Sequence, residues 1–254
     1  MNGRVVVWFS CGAASAVAAK MASDIHGGPG SNLHVVYCDT LAEEHRDNIR
    51  FLRQVERWIK HPIEIIKSAK YASVEDVWEK RRYMAGPAGA PCTLEMKKIP
   101  RHDYQLPNDL HIFGLTADES DRIADYEANN KDLELEWPLR DYGITKEGCY
   151  QILRYEDIEI PAMYKLGFKN NNCIGCVKST SPTYWNRVRE HFPAVFEARA
   201  LQSRRIGCKL VQIYQKKRIF LDELPVGYKG GKPEEDVDCG VICVKTEAVH
   251  DSRL

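Results

Sequence analysis

One stretch near the N-terminus decides the fold, Arg4-Val-Val-Val-Trp-Phe-Ser-Cys-Gly-Ala-Ala-Ser15. Its first half is a continuous apolar run rich in β-branched and aromatic residues, which predicts a buried strand. The run stops at a loop of small residues, 10–15, and an alanine-rich helical pattern follows to about Ser23. The stretch therefore predicts a strand, a tight loop and a helix, the unit from which parallel α/β sheets are built.

The same alternation continues along the first half of the chain. Short apolar runs predict three further strands, at residues 33–38, 63–66 and 110–115. Residues 42–60 have the spacing of an amphipathic helix, carried by Ile49, Leu52, Val55 and Ile59. Strands that alternate with amphipathic helices favour a parallel sheet covered on both faces. We therefore expect the α/β class, as a Rossmann-like three-layer sandwich with a mostly parallel sheet.

The second half of the chain has a less regular pattern. Residues 145–155 and 182–206 have helical spacing, and residues 210–221 fit either a strand pair or a helix. Residues 227–238 are rich in Gly, Pro and acidic residues, which predicts a mobile segment. We expect an α/β domain over residues 1–180, followed by a helical and mobile Cys-rich portion, residues 181–254, that carries Cys239 and Cys243.

Composition limits the classes of function. The 36 Lys and Arg residues balance 36 Asp and Glu residues, so the net charge of zero does not indicate a nucleic-acid partner. Hydrophobic residues at 44% and charged residues at 28% exclude a disordered or rod-like chain. No apolar run is long enough for a membrane span and the N-terminus lacks a signal-peptide pattern, so we expect a cytoplasmic protein without a membrane partner.

Nine cysteines point to thiol or metal chemistry. In a reducing compartment they do not predict disulfides, and an odd number cannot pair completely within one chain. Cys11, Cys38 and Cys208 lie in or beside apolar or tight-turn segments and are expected to be buried structural thiols.

Two loops that follow predicted strands carry residues suited to a ligand, because parallel sheets bind ligands beyond the carboxyl ends of their strands. The small residues of loop 10–15 would let backbone N–H groups approach a phosphate, although the same loop suits a close contact between helix and strand. Asp39 lies where a carboxylate often meets a ribose hydroxyl. Thr40 with Glu43 equally fits a plain helix cap.

A third loop, residues 114–120, also follows a predicted strand. It begins at Gly114, carries Glu119 and is followed by Arg122. Two interpretations stay open, a ligand-binding loop or the exposed start of a helix.

The order of these loops resembles the phosphoadenylyl-sulfate (PAPS) reductase family, relatives of the ATP pyrophosphatases. The stretches that carry the resemblance are Ser10-Cys-Gly-Ala-Ala-Ser-Ala-Val17, Val35-Val-Tyr-Cys-Asp-Thr40 with Glu44, Cys92-Thr-Leu-Glu-Met-Lys-Lys-Ile-Pro100, residues 114–119, Trp137-Pro-Leu139 and Cys173-Ile-Gly-Cys176. The resemblance implies a nucleotide-binding domain over residues 1–180 and an adenine nucleotide as substrate. Its implied contacts are Ser10, Gly12, Ala13, Ser15, Asp39, Thr40, Gly114 and Glu119.

Two positions in the ligand loops depart from the patterns of the two families. Ala14 stands where an ATP pyrophosphatase has Asp, which favours the sulfonucleotide branch over cleavage of ATP. Thr116 replaces an Arg that family members direct at an anion. Lys97, Lys98 and Arg122 could supply that charge, since an anion needs cations or amides rather than a fixed residue type.

The resemblance also implies a metal centre. Iron–sulfur members of the family have an early Cys-Cys and a late Cys-x-x-Cys, which Cys92, Cys173 and Cys176 resemble. Thr93 replaces the second early cysteine, so a fourth ligand would come from Cys149 or Cys243. Thiolates at this spacing suit a [4Fe-4S] cluster, with zinc as the alternative, or a reduced pair without metal.

The tail Asp238-Cys-Gly-Val241 resembles the Glu-Cys-Gly-Leu-His tail of the sulfonucleotide reductases, whose cysteine attacks sulfur. The resemblance implies Cys239 as the nucleophile, with Lys97 and Arg122 beside the substrate. The His is missing here, and Cys243 could instead form a redox pair with Cys239 or bind the metal.

The residues and the resemblance are compatible with three alternative functions. The first is an enzyme, expected to form a homodimer, that reduces an adenine sulfonucleotide through a cysteine. A thiol reductant protein then releases the sulfonyl group from that cysteine. The second is an ATP-dependent adenylating sulfur transferase with an iron–sulfur cluster. The third is a catalytically silent nucleotide-binding protein, which the substitutions at Ala14 and Thr116 permit.

Overall fold

A five-stranded parallel sheet forms the centre of the molecule. The computed structural model describes residues 3–86 and 89–230. The strand order is β3-β2-β1-β4-β5, with every neighbouring pair parallel. These strands are β1 Val5–Phe9, β2 Leu33–Cys38, β3 Ile63–Ile66, β4 Leu110–Phe113 and β5 Glu134–Glu136. Val7 of β1 pairs with Val35 and Ile112 of the strands on either side, so β1 is the central strand.

Helices connect these strands and continue beyond the sheet. In chain order they are α1 Ala13–His26, α2 Asp47–Ile59, α3 Val74–Arg81, α4 Pro91–Thr93, α5 Ile99–Tyr104, α6 Ser120–Asn129, α7 Pro138–Asp141, α8 Lys146–Tyr155, α9 Ala162–Lys165, α10 Pro182–His191 and α11 Pro193–Ile206. A short antiparallel pair follows them, β6 Val211–Gln212 and β7 Arg218–Ile219. None of the described helices has both the length and the hydropathy that a bilayer crossing requires.

The two faces of the sheet bury separate apolar clusters, because successive side chains of a strand point to opposite faces. Val7 and Phe9 of β1 pack in the α1-side core with residues of α1, α2 and α8. Val6 and Trp8 pack on the other face, in the α6-side core, with Ile123 and Trp137 among their neighbours. The architecture is therefore three layers, and the fold class predicted from the sequence is confirmed.

A third apolar cluster, the C-terminal core, joins segments that are far apart in the sequence. It contains residues of α3 and α4 together with residues of α10, α11, β6 and β7. Arg199 of α11 donates to Glu75 of α3, and Gln202 donates to Glu79 at 2.7 Å. The predicted boundary at residue 180 thus separates two segments that share one core, and it stays a prediction.

Several sequence predictions differ from the structure in detail. The helix predicted over residues 42–60 begins at Asp47, because residues 41–43 form a separate 3-10 turn. Ile49, predicted on its apolar face, is exposed, since it lies about 100° around the helix from the buried Asn48. The helix predicted over residues 182–206 is interrupted at Phe192, where Pro193 starts a new helix.

Two further differences concern strands. Residues 210–221, which fitted a strand pair or a helix, contain the β6–β7 pair. Strand β5 is absent from the sequence prediction, because it is a three-residue edge strand with partly exposed residues and no apolar run.

The end of β4 lies against the start of α1 with no room for a side chain between them. A Cβ atom added to Gly114 would lie 2.6 Å from both the N and the Cα atoms of Ser15. Real Cβ atoms do not approach backbone this closely, so the contact requires glycine. This contact sets the distance between α1 and the carboxyl end of the sheet.

Replacing Gly114 by Ala should therefore destabilise the protein. We expect the free energy of unfolding to fall by about 1–3 kcal/mol, since the new methyl group must displace backbone rather than a flexible side chain. Urea unfolding followed by circular dichroism measures the change. Gly148→Ala is the control, because a Cβ there meets only side-chain atoms of Ile144 and Thr145 and should not lower stability. Equal stability of the Gly114→Ala protein and the parent would contradict the packing argument.

Candidate functional site

A cleft lies beyond the carboxyl ends of β1 and β4, with a volume of about 230 Å³. This is smaller than the roughly 300–1,000 Å³ of pockets that enclose a drug-sized ligand, so a nucleotide would extend beyond it. Its lining residues are Ser10, Gly12, Ala13, Ala14, Ser15, Lys97, Gly114, Leu115, Thr116, Asp118, Glu119, Arg122, Lys146, Tyr164, Asn170, Asn171 and Asn172. Two of the three predicted loops therefore meet here.

The loop after β1 makes an abrupt turn that is fixed by one hydroxyl group. The Ser15 Oγ atom accepts from the backbone N–H of Ser10 at 3.1 Å and donates to the carbonyl of Gly12 at 3.0 Å. Cys11 adopts a left-handed conformation, with φ of 56°, which is uncommon for a residue other than glycine. The turn brings the N-terminus of α1 to the cleft.

The start of α1 presents backbone N–H groups to the cleft. Gly12 is the N-cap residue in an extended conformation, and no side chain caps the helix. No described residue accepts a hydrogen bond from the N–H groups of Gly12, Ala13 or Ala14. Unpaired N–H groups together with the helix dipole favour an anion at this position.

The loop after β4 is a capping box that leads into α6. The Glu119 carboxylate accepts from the backbone N–H and the hydroxyl of Thr116, both at 3.0 Å, and also pairs with Arg122. The nearby Thr116 side chain, together with backbone N–H groups and the Lys146 ammonium, lowers the pKa of Asp118. Glu119, predicted to contact a nucleotide, thus lines the cleft while its carboxylate already holds the loop.

Three cationic side chains line the cleft. Lys97 is buried and lies in a π-helical turn, Leu94–Lys98, a local distortion that is frequent at functional sites. Arg122 is on the first turn of α6. Lys146 begins α8, and its Nζ atom donates to the Lys169 carbonyl at 2.8 Å and to the Asn170 side chain at 3.1 Å. Because only two carboxylates share the lining, the cleft has a formal charge of +1.

Asp39 and Thr40 follow β2 and do not line the cleft. The Asp39 carboxylate accepts from the backbone N–H of Leu41 at 3.1 Å and lies 3.4 Å from the Lys67 ammonium. Thr40 is buried, and its hydroxyl donates to Glu44 at 2.6 Å. Both side chains have protein partners in this structure. Their predicted nucleotide contacts stay predictions.

A chain of buried hydrogen bonds connects the end of β2 to the loop after β1. Asn48 of α2 donates to the Glu44 carboxylate at 2.6 Å. Asn171 donates to the side-chain oxygen of Asn48 at 2.8 Å and to the backbone carbonyl of Cys11 at 2.7 Å. Glu44, Asn48 and Asn171 are at least 94% buried. The region of β2 therefore acts on the cleft through this chain rather than by lining it.

The cysteines predicted as metal ligands fall into two environments. Cys92 and Cys176 belong to the C-terminal core, and Cys173 is buried three residues before Cys176. Cys149 lies in the α1-side core, where burial raises the pKa of its thiol to about 12. The structure thus brings Cys92 and Cys176 into one cluster and places Cys149 in another.

Within residues 3–86 and 89–230, no group of three or more His, Cys, Asp or Glu side chains is arranged to hold a metal ion. The described residues alone therefore do not complete a metal centre. Cys239 and Cys243 lie outside the described residues. The iron–sulfur cluster, like its zinc alternative, stays a prediction.

The three thiols expected to be structural are placed as follows. Cys11 and Cys38 are buried, and burial raises the pKa of Cys11 well above its usual value and that of Cys38 to about 11. Cys208 is half-buried and its thiol donates to the Ala85 carbonyl.

Sequence reasoning missed several residues of the cleft. Lys146, Tyr164 and the Asn170–Asn172 run come from segments after the sheet and match none of the quoted motifs. The three consecutive asparagines before Cys173 were a usable signal, because polar amides rarely cluster without hydrogen-bonding partners.

Comparisons with known proteins bear on this arrangement. The family model "Phosphoadenosine phosphosulfate reductase domain" matches residues 4–182, which is more than half of the chain. The chain belongs to the phosphoadenosine phosphosulfate reductase domain family. The match begins at β1 and ends at the start of α10, so it includes every strand of the parallel sheet and every residue that lines the cleft.

The chain is similar to the phosphoadenylyl-sulfate (PAPS) reductase from Candida auris, solved as a phosphate complex, with 15% sequence identity and a TM-score of 0.47. The similarity covers 68% of this chain and 81% of that one. No curated protein matches the chain.

The separation of the cysteines leads to a test of the predicted metal centre. If the protein purified without oxygen contains iron and sulfide, we expect Cys92→Ala, Cys173→Ala and Cys176→Ala each to lose them. Cys149→Ala should retain the metal, because its thiol packs in the other apolar cluster. Elemental analysis and the visible absorption spectrum measure the content. Parent protein with neither iron nor zinc would contradict the centre, and loss of metal from Cys149→Ala would contradict the separation.

Proposed function

We propose that the chain binds an adenine sulfonucleotide in this cleft and reduces its sulfonyl group through a cysteine. Membership of the reductase family supports the reaction class. The observation that carries the proposal is the cleft itself, where the unpaired N–H groups at the start of α1 meet Lys97, Arg122 and Lys146. N–H groups and cations together are the chemistry that recognises phosphate and sulfonate groups.

In the proposed reaction the protein first fixes the anionic end of the substrate. The N–H groups of Gly12, Ala13 and Ala14 bind oxygens of the phosphate. Cationic side chains stabilise the charge that develops on the phosphate oxygen as the bond to sulfur breaks. Lys97 suits this role because it is buried, where a charge interacts more strongly than it does in water.

A thiolate then attacks the sulfonyl sulfur. A new S–S bond forms, the bond between sulfur and the phosphate oxygen breaks, and the nucleotide leaves with the electron pair. The cysteine now carries a sulfonate as S-sulfocysteine. One thiolate of a dithiol reductant attacks the cysteine sulfur, a mixed disulfide forms, and sulfite leaves with the electron pair of the S–S bond. The second thiolate of the reductant then breaks the mixed disulfide, which releases the enzyme thiolate and leaves the reductant oxidised by two electrons as a disulfide.

Cys239 is the proposed nucleophile, because the tail Asp238-Cys-Gly-Val241 resembles the tail of the sulfonucleotide reductases. Four acidic residues precede it closely, Glu234, Glu235, Asp236 and Asp238, and like charges nearby disfavour a thiolate. The cations of the cleft would offset this effect once substrate is bound. The proposal therefore requires Cys239 to become reactive only with sulfonucleotide present.

The nucleotide site is tested by enlarging Gly12. Gly12 has φ of −93°, which any residue adopts, and a Cβ there would face the Tyr164 hydroxyl at 3.3 Å. Gly12→Val should keep the fold and weaken binding of adenosine monophosphate at least about ten-fold, because the branched side chain blocks the N–H groups. Isothermal calorimetry measures the affinity, with Gly148→Ala as a control outside the cleft. Unchanged affinity would remove this loop from the site.

The reaction is tested by replacing the proposed nucleophile. Cys239→Ser should abolish release of sulfite from adenylyl sulfate and its 3′-phosphorylated form, assayed without oxygen in the presence of a dithiol. Cys208→Ser is the matched control, because that thiol packs against Ala85 away from the cleft lining, and its activity should equal the parent's. Mass spectrometry of the parent should detect a sulfonate on Cys239 when the dithiol is omitted.

Different results would favour other functions. Full activity of Cys239→Ser would move the nucleophile to Cys243. Release of pyrophosphate from ATP, without sulfite from either sulfonucleotide, would favour the adenylating sulfur transferase. Binding of adenine nucleotides without turnover of any of them would favour the silent binding protein.

A further inference from the structure

Asn171 contacts the loop after β1 at a single backbone group. Its side-chain Nδ2 atom donates to the carbonyl of Cys11 at 2.7 Å and to the Oδ1 atom of Asn48 at 2.8 Å. The residue is 94% buried and lines the cleft. None of the family motifs quoted above includes it.

The orientation of the Asn171 amide is fixed from the far end of the hydrogen-bond chain. Both oxygens of Glu44 act as acceptors, one from the Thr40 hydroxyl and the other from Asn48, so Asn48 turns its Nδ2 atom toward Glu44. The Oδ1 atom of Asn48 then faces Asn171 and accepts from it. Asn171 must therefore present its NH₂ group, because a flipped amide would place its oxygen against two other oxygens.

The hydrogen bond to the Cys11 carbonyl also determines where the next N–H group points. The carbonyl of Cys11 and the N–H of Gly12 belong to one peptide unit. In a trans peptide these two groups point in opposite directions, and the described residues contain no cis peptide. Holding the carbonyl toward Asn171 therefore turns the Gly12 N–H away from Asn171, and no described residue accepts from it.

The backbone at this point requires such a hold. Cys11 has φ of 56°, a conformation that costs free energy for any residue with a Cβ atom. Without the Asn171 hydrogen bond, rotation of the Cys11–Gly12 peptide about ψ of Cys11 and φ of Gly12 would redirect the Gly12 N–H and leave φ of Cys11 unchanged, so the left-handed turn alone does not fix the direction of this group.

We propose that Asn171 is a positioning residue of the anion site, which holds the Cys11–Gly12 peptide so that the Gly12 N–H donates to the phosphate of the bound nucleotide. The inference rests on the proposed function, because it needs an anionic ligand at this loop. It assigns to Asn171 an effect on the charged end of the ligand and none on its nucleoside part. The same logic makes Asn48 a weaker contributor, since it only orients Asn171.

Equilibrium binding of two probes tests this assignment. Adenosine monophosphate has the phosphate and adenosine lacks it, so their affinity ratio isolates the anion contact. Asn171→Leu has a similar volume and no donor, and it should weaken adenosine monophosphate about ten-fold or more while adenosine changes less than about two-fold. Asn48→Leu should also weaken binding of adenosine monophosphate relative to adenosine, but by a smaller factor than Asn171→Leu. Asn129→Leu, the same change at an exposed residue of α6 outside the cleft lining, should leave the affinity ratio near that of the parent.

A second measurement distinguishes loss of the Gly12 hydrogen bond from loss of folded protein. The amide proton of Gly12 is observed by ¹H–¹⁵N NMR while inorganic phosphate is added. It should move downfield in the parent, as expected for a hydrogen bond to an anion, and stay in place in Asn171→Leu. Thermal unfolding of each variant shows whether the fold is retained, and Asn171→Asp, which keeps the shape but loses the NH₂ group, provides a second variant.

The outcomes separate the inference from the function on which it rests. A parent that binds neither adenosine monophosphate nor phosphate would overturn the proposed function, and with it this inference. A parent that binds both, with an unchanged affinity ratio and a Gly12 shift that persists in Asn171→Leu, would overturn the role of Asn171 alone. Equal weakening of adenosine and adenosine monophosphate would also overturn it, because a merely structural residue would affect both.

Discussion

The close approach of α1 to the end of β4 is the constraint on which the rest of the cleft depends. Gly114 leaves no space for a side chain beside the backbone of Ser15. The Ser15 hydroxyl in turn joins Ser10 and Gly12 across the loop after β1. Helix, loop and strand are thereby held as one rigid corner, and the first N–H groups of α1 lie at the carboxyl edge of the sheet. If α1 lay farther from the end of β4, those N–H groups would be solvated by water.

Buried polar groups extend this corner across the sheet. Glu44, Asn48 and Asn171 would each be costly to bury alone, because an unpaired polar group in the interior loses its hydrogen bonds to water. Linked in a chain they pair with one another, and the last bond reaches the Cys11 carbonyl, while the Asn171 Oδ1 atom has no hydrogen-bond partner among the described residues. The network therefore offsets part of the cost of burial and constrains the geometry of the loop.

The distribution of charge is compatible with the proposed anion site in a chain of zero net charge. Cations and carboxylates are equal in number over the whole chain, so long-range attraction is absent. At the cleft the balance is local, with Glu119 paired to Arg122 and holding its own loop while Lys97 and Lys146 also line the wall. Binding at such a site depends on contact geometry, and the placement of individual N–H groups matters correspondingly more.

The sequence by itself determined the fold class and much of the cleft. The apolar run 5–9, the small-residue loop after it and the alternation of strands with helices are local patterns, and local patterns report which residues are buried and where the chain turns. The local patterns accordingly placed Ser15 and Gly114 in two predicted ligand loops. The packing that requires glycine at position 114 is a contact with Ser15, which is distant in the sequence, so no local pattern could reveal it.

Only the tertiary structure decided which residues share a site. Lys146 and Asn171 reach the cleft through packing of segments far from the loop after β1, and no periodicity encodes such distances. Tertiary packing also placed Cys149 and Cys92 in different cores, and it buried Thr40 against Glu44 instead of opening it to the cleft. The physical reason is that spacing along a chain fixes neighbours within one element, whereas contacts between elements depend on how their surfaces pack.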